Sequence, residues 1–354
     1  MGGMSETSYR SPALSRLGAC PAQDADAHPA YEGVAWHYGD PLGEQRAFSE
    51  QPVVIDRSHR VVLKVSGEDA AEFLNKLLSQ KLDDLPIGAG TEALDLDAQG
   101  HILHALGVLR TEEGFLLDIP RPSAASLEDF LRRMVFWSAV EITRTDYGLL
   151  TLCGASAPSG LSRSVSAPLP HTDLYVPAAL IDATLTDLES RGTRVVGLMA
   201  WTAERVRHLV PLPEVDLDDK SIPHEVPHWV GGSAVHLNKG CYRGQETVAR
   251  VENLGSSPRV LVRLHLDGSA PSLPVPGASI TKGSRPRAVG RVGTVVQDCD
   301  FGPIALAVLK RSALQAKDLH VGDCAVAVDP ETIPQDSGPQ AGREAVRRFR
   351  SGTL

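Results

Sequence analysis

The segment HLNKGCYRGQETVARVENLG, residues 236–255, holds the side chains of this chain that are best suited to chemistry. One thiol, that of Cys241, lies between two glycines and is flanked by Lys239 and Arg243. Glycines permit a tight turn whose backbone stays open to a ligand, and nearby cations lower the pKa of a thiol because they stabilise the thiolate. The residues that follow could start a helix, whose N-terminus favours the thiolate further. Cys241 is therefore a candidate reactive, exposed thiol, and the alternative is a buried cysteine in a glycine-rich bend.

The composition argues against several classes of protein. The 354 residues carry a net charge of -9, which opposes direct binding to a nucleic-acid backbone. The apolar runs fall short of the ~18 residues of a membrane span, and the opening MGGMSETSYR lacks the regions of a signal peptide. Five cysteines without a C-x-x-C indicate neither a disulfide framework nor a metal motif. The sequence therefore predicts a cytoplasmic protein with no membrane partner.

Residues 224–228 match the sequence motif of a known type of zinc site. His224 and His228 match the H-E-x-x-H of zinc proteases, which needs a continuous helix to place both histidines on one face. Pro227 lies inside the required turn, where a proline removes a helical hydrogen bond and costs about 3 kcal/mol. We therefore predict no metal site.

Hydrophobic periodicity divides the chain into four parts. Residues 1–47 lack periodicity and predict a mobile leader, and residues 329–354 predict a polar tail. Residues 48–255 show strand, helix, strand pair, helix and strand, an α+β order. We expect two subdomains in this region, with an exposed Ser/Pro-rich loop at 155–171.

The clearest single elements lie early in the α+β region. The β-branched run 61–65 predicts a strand. The helical spacing of apolar residues predicts a helix that buries Ala70, Phe73, Leu74, Leu77 and Leu78.

Residues 256–328 change to a period of two. Arg263 and His265 share one face of RVLVRLHLD, and the apolar face consists of Val260, Val262, Leu264 and Leu266. Further short strands, separated by Gly and Pro, predict a small β-barrel.

The run KGCYRGQE resembles the K-G-C-Y-x-G-Q-E signature of the YgfZ family, in the superfamily of the glycine-cleavage T-protein. The resemblance covers roughly residues 50–325 and includes VLKVSGEDAAEFLNKLLSQ, DLDAQGHILHALGVL, SIPHE and GRVGTVVQDCDFGPIALAVLKR. It implies a multidomain, ring-like fold with a folate-binding α+β core and a C-terminal β-barrel. It also implies tetrahydrofolate or a one-carbon derivative as the ligand, and a role in maintaining iron–sulfur enzymes.

The resemblance also assigns binding residues. Glu225, in SIPHE, matches a glutamate placed against the pterin, and a carboxylate can accept two parallel hydrogen bonds from the pterin amino group and ring N–H. The alternative is a surface glutamate beside prolines. Asp97 could line the same site or only build its own turn. Arg250 extends the signature and suits the carboxylates of the folate tail, and Lys239 and Tyr242 complete the predicted folate contacts.

One departure concerns T-protein chemistry. T-proteins carry an acidic pair after the glycine turn, where this chain has His104 and Ala105, and a carboxylate there assists the attacking folate nitrogen. Neither residue supplies an anionic group. His104 could act as a base, and the alternative is a half-buried histidine on a strand. The departure argues against a conventional aminomethyltransferase.

The sequence thus predicts a folate-binding accessory protein for iron–sulfur cluster assembly or repair, with Cys241 as the functional thiol. Its expected partners are folate and iron–sulfur proteins or their assembly factors. A cluster usually needs about four protein ligands, so a stable cluster would require a second chain. The alternatives are a folate-dependent aminomethyl- or methyltransferase and a tRNA-modification factor.

Overall fold

The computed structural model describes residues 9–23, 26–283 and 285–334. Its helices are α1 (Pro41–Glu50), α2 (Ala70–Leu77), α3 (Arg121–Met134), α4 (Ile181–Ser190), α5 (Leu198–Arg207), α6 (Pro213–Asp216) and α7 (Gln245–Leu254). Its first strands are β1 (Val53–Asp56), β2 (Val61–Ser66), β3 (Gly90–Leu96), β4 (Ile102–Thr111), β5 (Gly114–Ile119), β6 (Glu141–Arg144), β7 (Tyr147–Cys153) and β8 (Ser162–Val165). The others are β9 (His171–Pro177), β10 (Arg194–Val196), β11 (Arg259–Leu266), β12 (Ser279–Lys282), β13 (Arg285–Asp298), β14 (Gly302–Lys310), β15 (Leu319–Val321) and β16 (Cys324–Val328).

The chain divides into two compact units that are interleaved in sequence. The first unit comprises Met1–Ala70, Pro86–Gly90 and Leu106–Glu204. The second comprises Ala71–Leu85, Thr91–Ala105 and Arg205–Leu354. The predicted α+β class is confirmed, and the strand at 61–65 and the helix from Ala70 are present as β2 and α2.

The first unit contains a sheet with the strand order β10-β1-β7-β9-β8. β1 runs parallel to β10 and antiparallel to β7, so that Val54 pairs with Val195 on one side and Leu152 on the other. Helix α4 covers this sheet, and the buried cluster between them includes Val54, Leu150, Leu174, Ile181, Leu185 and Leu188.

A second sheet of the first unit has the order β4-β5-β2-β6, with residues 107–111 of β4 paired to β5. Helix α3 buries Leu127 and Leu131. Strands of both sheets contribute to one further cluster, formed by Val62, Leu109, Leu116, Leu149 and Tyr175. The two sheets of this unit therefore share an apolar layer.

Two aspartates that are fully buried in the first unit are matched by arginines. Arg60 Nε lies 2.8 Å from Asp118 Oδ1, and Arg57 Nη1 lies 3.3 Å from Asp173 Oδ1. Arg163 contacts both carboxylates. Burial alone raises the pKa of each aspartate, but the surrounding arginines hold both pKa values below the usual range.

The Ser/Pro-rich segment 155–171 is not wholly an exposed loop, so this prediction is wrong for Ser162–Val165. These residues form the edge strand β8, which pairs with β9. Arg163 is buried because its guanidinium reaches Asp173. The sequence places this charged side chain in a loop, but it is buried because it pairs with the carboxylate of Asp173 on the neighbouring strand.

The predicted mobile leader is also wrong for residues 9–23 and 26–47. Ala13 and Trp36 are buried, and the Ser11 hydroxyl donates to the buried Asp56 at 2.5 Å. Glu44 of α1 is buried and accepts from the backbone N–H groups of Tyr38 and Gly197, each at 2.7 Å. Polar contacts and buried apolar residues that lack a regular spacing hold this segment together, which explains why the sequence pattern gave no sign of it.

The second unit ends in a closed barrel with the strand order β11-β14-β13-β12-β15-β16. This confirms the predicted β-barrel, and its strands lie within 256–328. The predicted apolar face of β11 fills the interior with Val260, Val262, Leu264 and Leu266. Residues 330–332 form a short 3-10 turn, and the rest of the predicted tail, from residue 335, lies outside the described residues.

Within the described residues, the helices are all too short or too polar to cross a membrane. In the second unit, residues 91–96 of β3 lie beside the first part of β4, and a turn around Asp97 joins the two strands.

Replacing Glu44 with Gln tests whether the N-terminal segment is part of the folded unit. The amide would present a donor to one of two N–H groups, so we expect the free energy of unfolding to fall by about 1–3 kcal/mol in urea denaturation. Glu50→Gln, on the exposed end of the same helix, is the control and should change little. Equal stability of both variants with the wild type would contradict the observed packing.

Candidate functional site

The loop that carries Cys241 is anchored on its N-terminal side by Lys239. The Lys239 ammonium donates to the backbone carbonyls of Asn75, Leu78 and Gln80 at 2.5, 2.5 and 2.9 Å. These carbonyls lie at the C-terminal end of α2, where a helix leaves acceptors unsatisfied and favours a cation. Burial lowers the pKa of Lys239 to about 8. The ammonium also lies 5.0 Å from the ring centre of Tyr242.

On its other side the loop is anchored by Arg243. Arg243 Nη2 donates to Oδ1 of Asp95 at 2.6 Å. The second carboxylate oxygen of Asp95 lies 2.8 Å from Nδ1 of His104. Asp95 is on β3 and fully buried, and His104 is on β4 and buried. An arginine, an aspartate and a histidine thus form one connected polar group beneath the loop.

Two glycines allow this loop to approach the β3–β4 turn closely. Gly244 has a φ of +83°, and a Cβ atom there would lie 2.6 Å from the carbonyl oxygen of Asp97. Gly100 has a φ of +81°, and a Cβ atom there would lie 2.8 Å from Cβ of Thr247. Both the left-handed backbone and the short distances therefore require glycine.

Cys241 itself is exposed, as predicted. Helix α7 begins at Gln245 directly after Gly244, which confirms the helix predicted to follow the thiol. Lys239 and Arg243 do not simply surround the thiol with charge, because their described contacts are with the end of α2 and with Asp95. The two cations instead fix the backbone on either side of an exposed cysteine.

Asp97 builds the turn that supports the loop. Its Oδ1 accepts from the N–H groups of Gln99 and His101, each at 2.8 Å, and its Oδ2 lies 2.9 Å from Nδ1 of His101. Partial burial raises the pKa of Asp97, but these hydrogen bonds outweigh it and hold the pKa below the usual value. The structure gives Asp97 the turn-building role, and its predicted folate contact stays a prediction.

Glu225 is buried and lies at the end of a 3-10 turn, Pro223–Glu225. Arg259 donates two hydrogen bonds to the Glu225 carboxylate, from Nε to Oε1 at 2.8 Å and from Nη2 to Oε2 at 3.2 Å. The same guanidinium donates to Asp218 at 2.6 and 2.9 Å. Burial raises the pKa of Glu225, although Arg259 opposes the shift. The alternative of a surface glutamate beside prolines is wrong because Glu225 is buried, and the pterin contact stays a prediction.

The remaining predicted residues are dispersed around this region. Tyr242 is buried, and burial raises its pKa to about 12. Arg250 is exposed on α7. His224 and His228 do not share a continuous α-helix, as the proline argument predicted.

A group of potential metal ligands occurs elsewhere in the second unit, at Asp298, Cys299 and Asp300. The guanidinium of Arg207 donates to Asp298 at 2.6 Å through both Nε and Nη2, and to Asp300 at 2.7 Å. A cation of the protein therefore already satisfies these carboxylates, which leaves them poorly suited to a metal ion.

Sequence reasoning missed Asp95 and Arg259. Arg243 and Asp95 are 148 positions apart, and Arg259 and Glu225 are 34 apart. No local spacing links such residues. His104 and Ala105 supply no anionic group, as the sequence indicates, but the carboxylate of Asp95 on the neighbouring strand lies beside His104.

Comparison with protein families places two models on this chain. The GCVT N-terminal domain matches residues 33–179, and the CAF17 C-terminal β-barrel domain matches residues 259–335. The second match covers the closed barrel, and the first begins within the segment that precedes β1.

Curated relatives share moderate identity with the chain. A protein of Arabidopsis thaliana, named as a candidate chloroplastic transferase, is 26% identical over 66% of this chain and 60% of its own length. The tRNA-modifying protein YgfZ of Edwardsiella ictaluri is 29% identical over 60% of this chain and 70% of its own length. A mitochondrial homologue of the iron–sulfur cluster assembly factor IBA57, from Mycosarcoma maydis, is 26% identical over 60% of this chain and 57% of its own length.

Among solved structures, the aminomethyltransferase T of the glycine cleavage system from Bartonella henselae has a similar fold. The TM-score is 0.71, with 92% of this chain and 97% of that chain covered. At 18% sequence identity, this likeness concerns the fold.

Replacing Lys239 with Met tests the anchor on α2. Loss of three hydrogen bonds to carbonyls should lower the free energy of unfolding by about 1–3 kcal/mol in urea denaturation. Lys81→Met is the matched control, since Lys81 pairs with the exposed Asp84 and should matter little.

The wild type and Lys239→Met also allow a test of how the stability depends on pH. The pKa of Lys239 is about 8 when folded and near 10.5 in the unfolded chain. Between these values the unfolded chain binds more protons, so this group makes the free energy of unfolding rise with pH. The stability difference between wild type and Lys239→Met should therefore widen from about pH 8 to 10.5. A difference that stays constant over this range would show that the pKa of Lys239 is not lowered in the folded protein, and hence that the ammonium is not buried.

Proposed function

Because this chain belongs to the superfamily of YgfZ and the glycine-cleavage T-protein, we propose that it is a folate-binding accessory protein for iron–sulfur cluster assembly or repair. Its working group is the thiol of Cys241. The names of two relatives, a tRNA-modifying YgfZ and an iron–sulfur cluster assembly factor, support this role.

The observation that carries the proposal is an exposed cysteine on a loop that is fixed at both ends. Lys239 holds the loop to α2, and Arg243 holds it to Asp95. A structural cysteine is usually buried, whereas a thiol that must meet a partner needs both exposure and a defined position. Cys241 meets these two requirements.

A partner chain completes the chemistry in this proposal. One thiolate supplies one of the roughly four ligands that a cluster needs. Cys241 therefore acts together with thiolates of an iron–sulfur protein or an assembly factor, which is the substrate or partner here. The cysteines of this chain are free thiols, which suits a reducing compartment such as the cytoplasm.

Folate binding at Glu225 is compatible with its arginine partner. An ionised carboxylate offers about four acceptor positions, and Arg259 uses two. A pterin amino group and ring N–H can therefore share the carboxylate. Arg250, exposed on α7, provides a cation for the folate tail. Tetrahydrofolate or a one-carbon derivative is the proposed ligand, and Tyr242, Lys239 and Asp97 are its further proposed contacts.

Complementation tests the role of the thiol. A strain that lacks the gene receives the wild type, Cys241→Ser or Cys20→Ser, and the activity of an iron–sulfur dehydratase is measured under oxidative stress. We expect Cys241→Ser to restore no more activity than an empty vector, because serine is a far poorer metal ligand and nucleophile than a thiolate. Cys20→Ser, the control, should restore it fully. Full rescue by Cys241→Ser, at equal protein level, would contradict the proposed thiol function.

Calorimetric titration with 5-formyltetrahydrofolate tests the pterin contact. Glu225→Gln should weaken binding by about tenfold or more, because a hydrogen-bonded charged group contributes about 1.5–3 kcal/mol. Asp218→Asn is the matched control, since Asp218 also binds Arg259 but is not assigned to folate. If the two variants lose affinity equally, the effect comes from Arg259, and the pterin role of Glu225 is rejected.

A further inference from the structure

We propose that Asp95 is the positioning residue of the Cys241 loop. Through Arg243 it fixes the backbone that presents the thiol, and His104 holds the carboxylate from the opposite side. This inference rests on the proposed function of Cys241 for its purpose, but its geometry is independent of that function.

The position of Asp95 is determined by two contacts. The Asp95 side chain is 0% exposed, and its two oxygens lie 2.6 Å from Arg243 Nη2 and 2.8 Å from His104 Nδ1. A buried carboxylate is costly unless it is paired and hydrogen-bonded. Arg243 meets this requirement from the loop, and its side chain is 36% exposed, so it links the buried sheet to the protein surface.

The tip of the loop has little packing of its own. A Cβ atom at Gly240 would meet nothing within 4 Å, and Asn238, Gly240 and Cys241 are exposed. The backbone at the tip is therefore held from its flanks. Lys239 supplies the anchor on one flank through neutral carbonyls, and the Arg243–Asp95 pair supplies a charged anchor on the other.

The two contacts also favour aspartate over asparagine at position 95. Both oxygens are used, one by a guanidinium and one by an imidazole nitrogen. An asparagine could accept from Arg243 with its oxygen, but it would turn an NH₂ group towards His104 Nδ1, which accepts only in the tautomer protonated at Nε2. It would also remove the charge that makes the bond to Arg243 strong.

Hydrogen exchange of the full-length protein, followed by mass spectrometry, tests the proposal. The variants are Asp95→Asn, Arg243→Gln and the double variant. We expect amides in residues 239–245 to exchange about tenfold faster or more in all three, because a hydrogen bond between charged groups of this kind is lost. The double variant should exchange no faster than the single variants, because one shared interaction is removed. Amides of β11 and β14 should keep their wild-type rates.

Controls separate positioning from general loss of stability. Asp187→Asn and Arg191→Gln break an exposed aspartate–arginine pair in α4 and its C-terminal cap, and should leave 239–245 protected. Arg243→Lys keeps a cation and should restore part of the protection. Arg243→Gln leaves the Asp95–His104 contact in place, so it serves if Asp95→Asn does not fold.

Two outcomes distinguish this inference from the proposed thiol function. Wild-type exchange in 239–245 for Arg243→Gln, or faster exchange spread equally over the barrel, would overturn the positioning role of Asp95. Faster exchange confined to the loop would support the positioning role of Asp95. If Cys241→Ser also complemented fully, only the proposed thiol function would be rejected.

Discussion

Pairing between buried carboxylates and arginines is the interaction on which this fold depends most. A buried carboxylate has lost its contact with water and needs a cation or several hydrogen bonds in compensation. In this chain the cation is repeatedly the guanidinium of an arginine from a different element. The pairs are Asp118 with Arg60, Asp173 with Arg163, Asp95 with Arg243, Asp216 with Arg205, Glu225 with Arg259 and Asp298 with Arg207. Asp56 is held by the Ser11 hydroxyl and the Ser58 backbone instead, and burial raises its pKa. Arginine pairing thus accounts for these six buried carboxylates, whereas Asp56 and Glu44 rely on hydroxyl and backbone donors.

The elements with a strong apolar period could be predicted from the sequence. The alternation in β11 identified the residues that fill the barrel, and helical spacing identified α2. The exposed Cys241 and the helix after it were also foreseen, since glycine-rich turns and helix starts are local features. The proline rule correctly predicted that no continuous α-helix carries both His224 and His228.

Polar contacts between distant parts of the chain could not be predicted. The N-terminal segment is held by Ser11 and Glu44, whose partners carry no periodic signal. Arg163 reads as part of a Ser/Pro-rich loop, yet it is buried because Asp173 lies on the next strand. The sequence suggested that Lys239 and Arg243 act as cations beside the thiol, whereas their described partners belong to the end of α2 and to β3. A single sequence without its fold gives such pairs no shared spacing.

The interleaving of the two units has a consequence for biosynthesis. β1 obtains its parallel neighbour only when Arg194–Val196 has been made, and the pieces 71–85 and 91–105 belong to a unit whose remainder begins at Arg205. Neither unit can therefore be completed while the ribosome is still in the first half of the chain, although domains usually fold in the order of their synthesis. The nascent chain carries open strand edges for most of its translation, and such edges are where chaperones are needed and aggregation begins.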